Sequence, residues 1–176
     1  MKFEKILMFL VLAIFLMTGN CFARIPGNPD PETLADMNQN PRDYISYGGL
    51  GSGVSCYIYK NSIDVQKYAP PEYIIAFKNV NYVAIRGVVA KTSIERYKYN
   101  FEEKKIYFEV NYDDGRTEWE LLNTLSLQNG TSGEQSRLAA GEIAFYLAYK
   151  MSFFDKPITY FAEKVINGNP RFFERS

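Results

Sequence analysis

Between Asp43 and Leu122 the chain is a succession of short runs rich in Tyr, Ile, Val and Phe, each ended by turn residues. Runs of this kind read as antiparallel strands, and that reading dominates what the rest of the chain can do. "DYISY" and "VSCYIYK" flank the glycine cluster "GGLGSG", and Ile63 to Tyr68 ends at Pro70-Pro71. "EYIIAFKNVNYVAI" is long enough for a strand that bends or breaks near Asn79. "SIERYKYNF" and "KIYFEVNY" are joined by the charged turn "EEK", and Asp114-Gly115 links the second of these to "RTEWELL" as a hairpin.

The cleanest alternation lies in residues 105–112. Ile106, Phe108, Val110 and Tyr112 point one way, Lys105, Tyr107, Glu109 and Asn111 the other. Carried across the Asp114-Gly115 turn, this register places Trp119 and Leu121 on the apolar face and leaves Glu118 and Glu120 in water.

"QNGTSGEQ" then breaks the strand pattern. Thr131 with Glu134, or Ser132 with Gln135, forms a capping box ahead of a helix expected over Glu134 to Phe154. Ala140, Ile143, Ala144, Leu147, Ala148, Met151 and Phe154 recur at helical spacing as the stripe that would face the sheet. The opposite side is not properly polar, because Leu138, Phe145, Tyr146, Tyr149 and Phe153 share it with Glu142. Two arrangements fit: the tail after Pro157, with Tyr160, Phe161, Phe172 and Phe173, folds back over those rings, or the rings bind a partner. Phe145, Tyr146, Tyr149 and Phe153 are therefore the candidate binding face. The fold expected is α+β, an antiparallel meander over 43–156 with a C-terminal helix packed on it and a tail over 157–176.

The start of the chain carries an address. "MKFEKILMFLVLAIFLMTGNCFA" has Lys2 and Lys5, an apolar run from Ile6 to Met17 and small residues ending at Ala23, the pattern of a secretory signal peptide. The run is short of the roughly 20 apolar residues that span a bilayer. Asn20 before Cys21 argues against lipid attachment there. Cleavage after Ala23 removes Cys21 and leaves Cys56 alone, so no internal disulfide forms. Residues 24–42, rich in Pro, Asn and Asp, read as a polar lead-in, with Pro31 to Met37 as a short helix behind Asp30. No later segment is expected to span a membrane.

Composition removes several function classes. The sequence has no histidine, which excludes Ser-His-Asp and Cys-His catalysis and imidazole metal ligation. Its 20 basic and 20 acidic residues balance, so no net field attracts nucleic acid. "GGLGSG" leads into a strand, without the helix and lysine a phosphate loop needs, and reads as a hairpin turn. Cys56, in register with Val54 and Ile58, reads as a small buried hydrophobe and not a nucleophile. Glu118 with Glu120 and Asp113 with Asp114 are carboxylate pairs explained by a wet strand face and a turn. "ERYKYNF" reads as one wet and one packed strand face. No cofactor or metal is expected.

"YIYKNSIDVQKYAPPEYIIAF" resembles the family of small exported bacterial proteins of the surface-adhesin protein E type. Tyr57, Tyr59, Ser62 and Ile63, the strand Tyr73 to Phe77 and the helix Glu134 to Phe154 match its pattern over roughly residues 43–154. Lys60 or Asn61 stands where that family commonly has Asp, and its cysteine pair is missing. The resemblance implies export and a sheet with a packed helix; adhesion to a host protein does not carry over residue by residue. The functions expected are a non-enzymatic envelope or surface protein that binds a host or envelope macromolecule or itself, located in the periplasm, at the cell surface or outside the cell. The alternative is a periplasmic small-ligand or polysaccharide binder, marked by a pocket with convergent polar groups. A carboxylate hydrolase would instead need two acidic side chains facing one cleft.

Overall fold

The strand runs pair in chain order. In the computed structural model, which describes residues 30–51, 53–125, 127 and 130–173, strands β1 (Tyr44–Gly51), β2 (Val54–Ala69), β3 (Glu72–Val83), β4 (Val88–Asn100), β5 (Lys105–Asn111) and β6 (Thr117–Leu121) form one antiparallel sheet in the order β1-β2-β3-β4-β5-β6. Helix α1 (Pro31–Gln39) precedes the sheet, and α2 (Ser132–Tyr149) and α3 (Tyr160–Ile166) follow it. The α+β meander expected from the sequence is the fold. The signal-like segment over 1–23 lies outside the described residues.

Two expected breaks are absent. The runs at Val54 to Lys60 and Ile63 to Tyr68 are one strand, in which residues 60–63 stand opposite Phe77 alone as a bulge. Ser62 staples it: its hydroxyl donates to Tyr59 O at 2.6 Å and accepts from Lys78 N at 2.7 Å. β3 also continues unbroken through Asn79, whose buried amide is satisfied by neighbouring side chains.

α2 starts at the Thr131–Glu134 capping box and ends at Lys150, which takes the left-handed conformation at φ 56°. It therefore stops short of the expected Phe154. Its sheet-facing line also differs from the expected one. At Gly141 an added Cβ would meet Ile106 Cγ2 at 3.0 Å and Tyr97 Cδ1 at 3.1 Å, and Tyr99 Oη donates to Gly141 O at 2.9 Å. Phe145, on the same side of the helix, meets the rings of Tyr73, Tyr99 and Phe101. Residues 138–145 are buried all round, because the sheet covers one side and α3 the other. That is why this helix has no polar face.

The tail is docked, but not over the aromatic rings. Buried Glu142 accepts from Ile158 N at 2.8 Å and Thr159 N at 3.0 Å, holding the chain where α3 begins. The segment then returns to β1, with Ser46 N donating to Arg171 O and Phe173 N to Tyr44 O, so the β1 edge of the sheet is covered. Phe173 reaches the far side of the sheet and packs against Tyr57 and Tyr82.

That far side is where the lead-in sits. α1 is capped by Asp30, which accepts from Thr33 N at 2.8 Å, and buries Met37 completely against Tyr44, Val80, Tyr82 and Val89. Asp30 N donates to Val89 O, Lys78 Nζ to Thr33 Oγ1 at 2.7 Å, and Tyr44 Oη to the Asp36 carboxylate. The polar lead-in thus docks, as the cover of a second, smaller core. No helix among the described residues is long and apolar enough to cross a membrane.

Candidate functional site

The site begins with a break in the sheet. The β4–β5 ladder pairs Asn100 with Lys105 and runs back to Tyr97 with Phe108, where it stops. Beyond that pair the strands diverge, and the Arg96–Glu109 ion pair at 3.3 Å bridges them outside the ladder. The divergence opens a cleft of about 370 Å³ under the first turns of α2. Its size is that of a small-ligand pocket.

Polar side chains fill the inward-facing register here. Ile75 and Phe77 are core, and the next inward positions on β3 are Asn79 and Asn81. Facing them across β4 are Glu95 opposite Phe77, Ser93 opposite Asn79 and Lys91 opposite Asn81. β1 contributes through a bulge: Ser46 pairs with Tyr57 and Gly48 with Cys56, so Tyr47 has no cross-strand partner and its side chain turns inward. Its hydroxyl donates to Asn79 Oδ1 at 2.8 Å, and Asn79 Nδ2 reaches Asn81 Oδ1 at 3.3 Å and Ser93 Oγ at 3.4 Å. With both amide hydrogens and its Oδ1 engaged, Asn79 fixes the floor.

The roof is set by how closely α2 approaches β1. Gly48, at φ +142°, lies where a Cβ would come within 2.3 Å of Ser136 Oγ, and Ser136 donates to Gly49 O at 3.1 Å. Arg137, one residue on, lays its guanidinium over the Phe108 ring at 4.6 Å and looks into the cleft. Gly51 and Gly53, both at positive φ, make the tight β1–β2 connection, so the turn expected of the glycine cluster is confined to its end, while Gly48 and Gly49 pair within β1.

Glu95 is the chemically distinctive group. Burial raises its carboxyl to about 7, against the hydrogen bond from Tyr97 Oη at 3.2 Å and the charges of Arg137 and Lys91. At neutral pH it is therefore divided between its two protonation states. Glu109 also lines the cleft but is committed to Arg96. Two uncommitted carboxylates facing a glycosidic bond are not what the cleft presents.

The sequence-derived candidates lie elsewhere. Phe145 and Phe153 are 1% and 0% exposed, and the rings around them come from β3, β4 and the turn after it, so these two are core and not a surface. The reason is the rotation of α2, which puts Phe145 on the sheet side. Tyr146 and Tyr149 are half-buried at the rim, where Tyr149 meets Tyr68 and Tyr73. Cys56 is free and fully buried, its thiol pushed up to about 12 by burial, as a packing residue should be. Glu118 and Glu120 pair with Val110 and Phe108, so they share the α2 side with them, while Trp119 turns to the other side against Lys98 at 5.4 Å.

Comparison with protein-family models, with curated proteins and with solved structures finds no match in any of the three. The site is therefore interpreted from its own chemistry. The residues that form it were missed by sequence reasoning, although a signal was present: Asn79, Asn81, Ser93 and Glu95 stand in the same strand register as Ile75, Phe77, Tyr97 and Tyr99. Polar residues in a core register either satisfy one another or serve a ligand. Among the described residues no group of three or more His, Cys, Asp or Glu could hold a metal ion.

Proposed function

We propose that the protein is an exported, non-enzymatic binding protein of the bacterial envelope that holds a small polar ligand in the β4–β5 cleft. The observation that carries this reading is the convergence of Asn81, Ser93, Glu95, Lys91 and Arg137 on one cavity of about 370 Å³. Small-ligand sites have this form, a few fixed polar groups set among apolar walls, here Leu50, Phe108 and Val110. Export rests on the signal-like segment ending at Ala23 and on the resemblance to exported adhesin-type proteins.

Thermal-shift screening of the purified protein against neutral sugars, sugar acids, amino acids and small dicarboxylates tests the reading. A stabilising compound is expected, with its effect lost in Asn81→Ala and Arg137→Ala. A compound that stabilises both variants as well as the parent binds elsewhere and overturns the assignment.

A second reading, binding of a host or envelope macromolecule, draws on one observation. Tyr68 is 68% exposed and continues the ring cluster of Tyr73 and Tyr149 onto the surface. Tyr68→Ser abolishing capture of a cell-envelope polymer, with the cleft variants unaffected, would favour this reading over the cleft.

A further inference from the structure

The cleft groups are unequal in what they have left to give. Both donor positions of Asn79 are engaged and its Oδ1 accepts once, and the Oδ1 atoms of Asn81 and Asn111 each accept one bond, from Asn79 and from Thr117 at 2.9 Å. Among the described residues the amide nitrogens of Asn81 and Asn111 donate to nothing, and Lys91 and Arg137 have neither an ion pair nor a hydrogen bond. Ser93 accepts and keeps its proton to donate. Unspent N–H and O–H donors are thus plentiful and two of the groups carrying them are cationic, while among the described cleft residues the carboxylate oxygen left without a partner is on Glu95, beside the remaining lone pairs of hydroxyls and amides. Such a surface complements a ligand rich in acceptor oxygens and carrying negative charge. Leu50 and Val110 add apolar wall, next to a Phe108 ring that already carries the Arg137 guanidinium at 4.6 Å.

We propose that the cleft binds an anionic sugar unit, its charged group between Lys91 and Arg137 and its hydroxyls on Asn81, Ser93 and Asn111. This rests on the reading of the cleft as a ligand site. A uronate carboxylate and a sulfate ester supply the same chemistry, and the two sources differ in the test below.

Glu95 gives the site a signature that a merely positive surface lacks. The titratable groups around it are Tyr47 from β1, Cys56 from β2, Lys91 and Tyr97 of β4, Glu109 on β5 and Arg137 on α2. Of these only Glu95 is raised into the neutral range, to about 7. Its ionisation places a negative charge beside the anion, so binding weakens as pH rises through that value.

The experiment is amide NMR titration of the purified protein with glucuronate, galacturonate, glucose 6-sulfate, glucose and inorganic sulfate, at about pH 6 and about pH 8. A charged sugar is expected to shift Asn81, Ser93 and Gly133, at least about tenfold more tightly than glucose or sulfate alone, and about fivefold more weakly at the higher pH. Lys91→Ala and Arg137→Ala, both on exposed side chains, should each lower affinity about tenfold. Glu95→Gln should abolish the pH effect. Uronates outbinding the sulfate ester assign the carboxylate, and the reverse assigns the sulfate; either supports the class. Glucose binding at the cleft as tightly as the charged sugars overturns the anionic class and leaves the ligand site standing. Inorganic sulfate matching them overturns the sugar. Where no compound, including any found by thermal shift, perturbs these amides, the ligand site itself falls.

Discussion

Gly48 and Ser136 touch: the hydroxyl of the helix residue occupies the space a side chain on the strand residue would need, 2.3 Å from an ideal Cβ. This contact joins β1 to the start of α2 and sets the height of the cleft roof. Gly48 also sits at φ +142°, a backbone conformation that side chains disfavour. Gly48→Ala is expected to cost about 2–4 kcal/mol, from strain and overpacking together. Urea denaturation measures it, and Ser136→Gly in the same chain should recover only the steric part. An unchanged midpoint would show that the helix is not seated on that glycine.

Phe145 and Tyr146 are sequence neighbours with opposite fates. Phe145, at 1% exposure amid five aromatic rings, should cost about 3–5 kcal/mol when cut to Ala, whereas half-buried Tyr146→Ala should cost about 1 kcal/mol. Chemical unfolding of the two variants separates core from surface. Loss of association without loss of stability at Phe145 would restore it to a binding face.

The strands were legible because aromatic and β-branched runs punctuated by Gly, Pro and Asn report local preference directly. Register was less so. Asp114-Gly115 is present and Gly115 has φ +83°, yet Asn111 pairs with Thr117 across a five-residue loop, 112–116. A two-residue turn would pair Asp113 with Arg116, and the one-residue difference moves Trp119 to the side away from α2. The rotation of α2 was hidden for a related reason. Apart from Glu142 its central residues are apolar on every side, so periodicity cannot choose a face, and Gly141 against Tyr97 and Ile106 decides it. The polar residues of the cleft left a trace in the strand register, but the opening itself was not legible, since it depends on where β4 and β5 part company.

Cys56 offers a test of the buried reading. Its thiol is fully covered and pushed up to about 12, so at neutral pH almost none of it is thiolate. Alkylation by iodoacetamide in the folded protein is expected to proceed only through unfolding, with a rate that rises with urea. Cys56→Ala should cost about 1–2 kcal/mol, as loss of a small packed group does. Rapid labelling of the native protein would contradict both expectations.

The raised carboxyls make a prediction about pH and stability. Glu95, at about 7, and Glu142, also raised by burial, both bind protons more tightly folded than unfolded. For groups shifted upward, stability is fully present below the unfolded value, near 4.3, and is lost as pH rises through the folded one. The melting temperature should therefore fall between about pH 5 and about pH 8. Asp30, where burial is the largest single influence and pushes upward, is held below its ordinary value by the Thr33 hydrogen bonds and the Lys78 charge together, and acts in the other direction and only at more acidic pH. Glu95→Gln should flatten the fall around pH 7 in thermal scans, and an unchanged slope would place its titration elsewhere.

Glu142 also carries a mechanical role. Its carboxylate, 1% exposed, accepts both backbone N–H groups at Ile158 and Thr159, and nothing else on α2 offers that pair an acceptor. Glu142→Ala strands two buried donors and is expected to cost about 2–4 kcal/mol. Gln offers one good acceptor oxygen and should cost roughly half of that. Because the same anchor precedes α3 and the Arg171–Phe173 segment on β1, the loss should fall first on the tail. Limited proteolysis of the Ala variant should cut after about Pro157 while the sheet stays intact, and amide exchange at Ser46, which donates to Arg171 O, should accelerate with it. Cleavage spread evenly over the chain would show that the tail and the sheet open together and that Glu142 is simply part of the core.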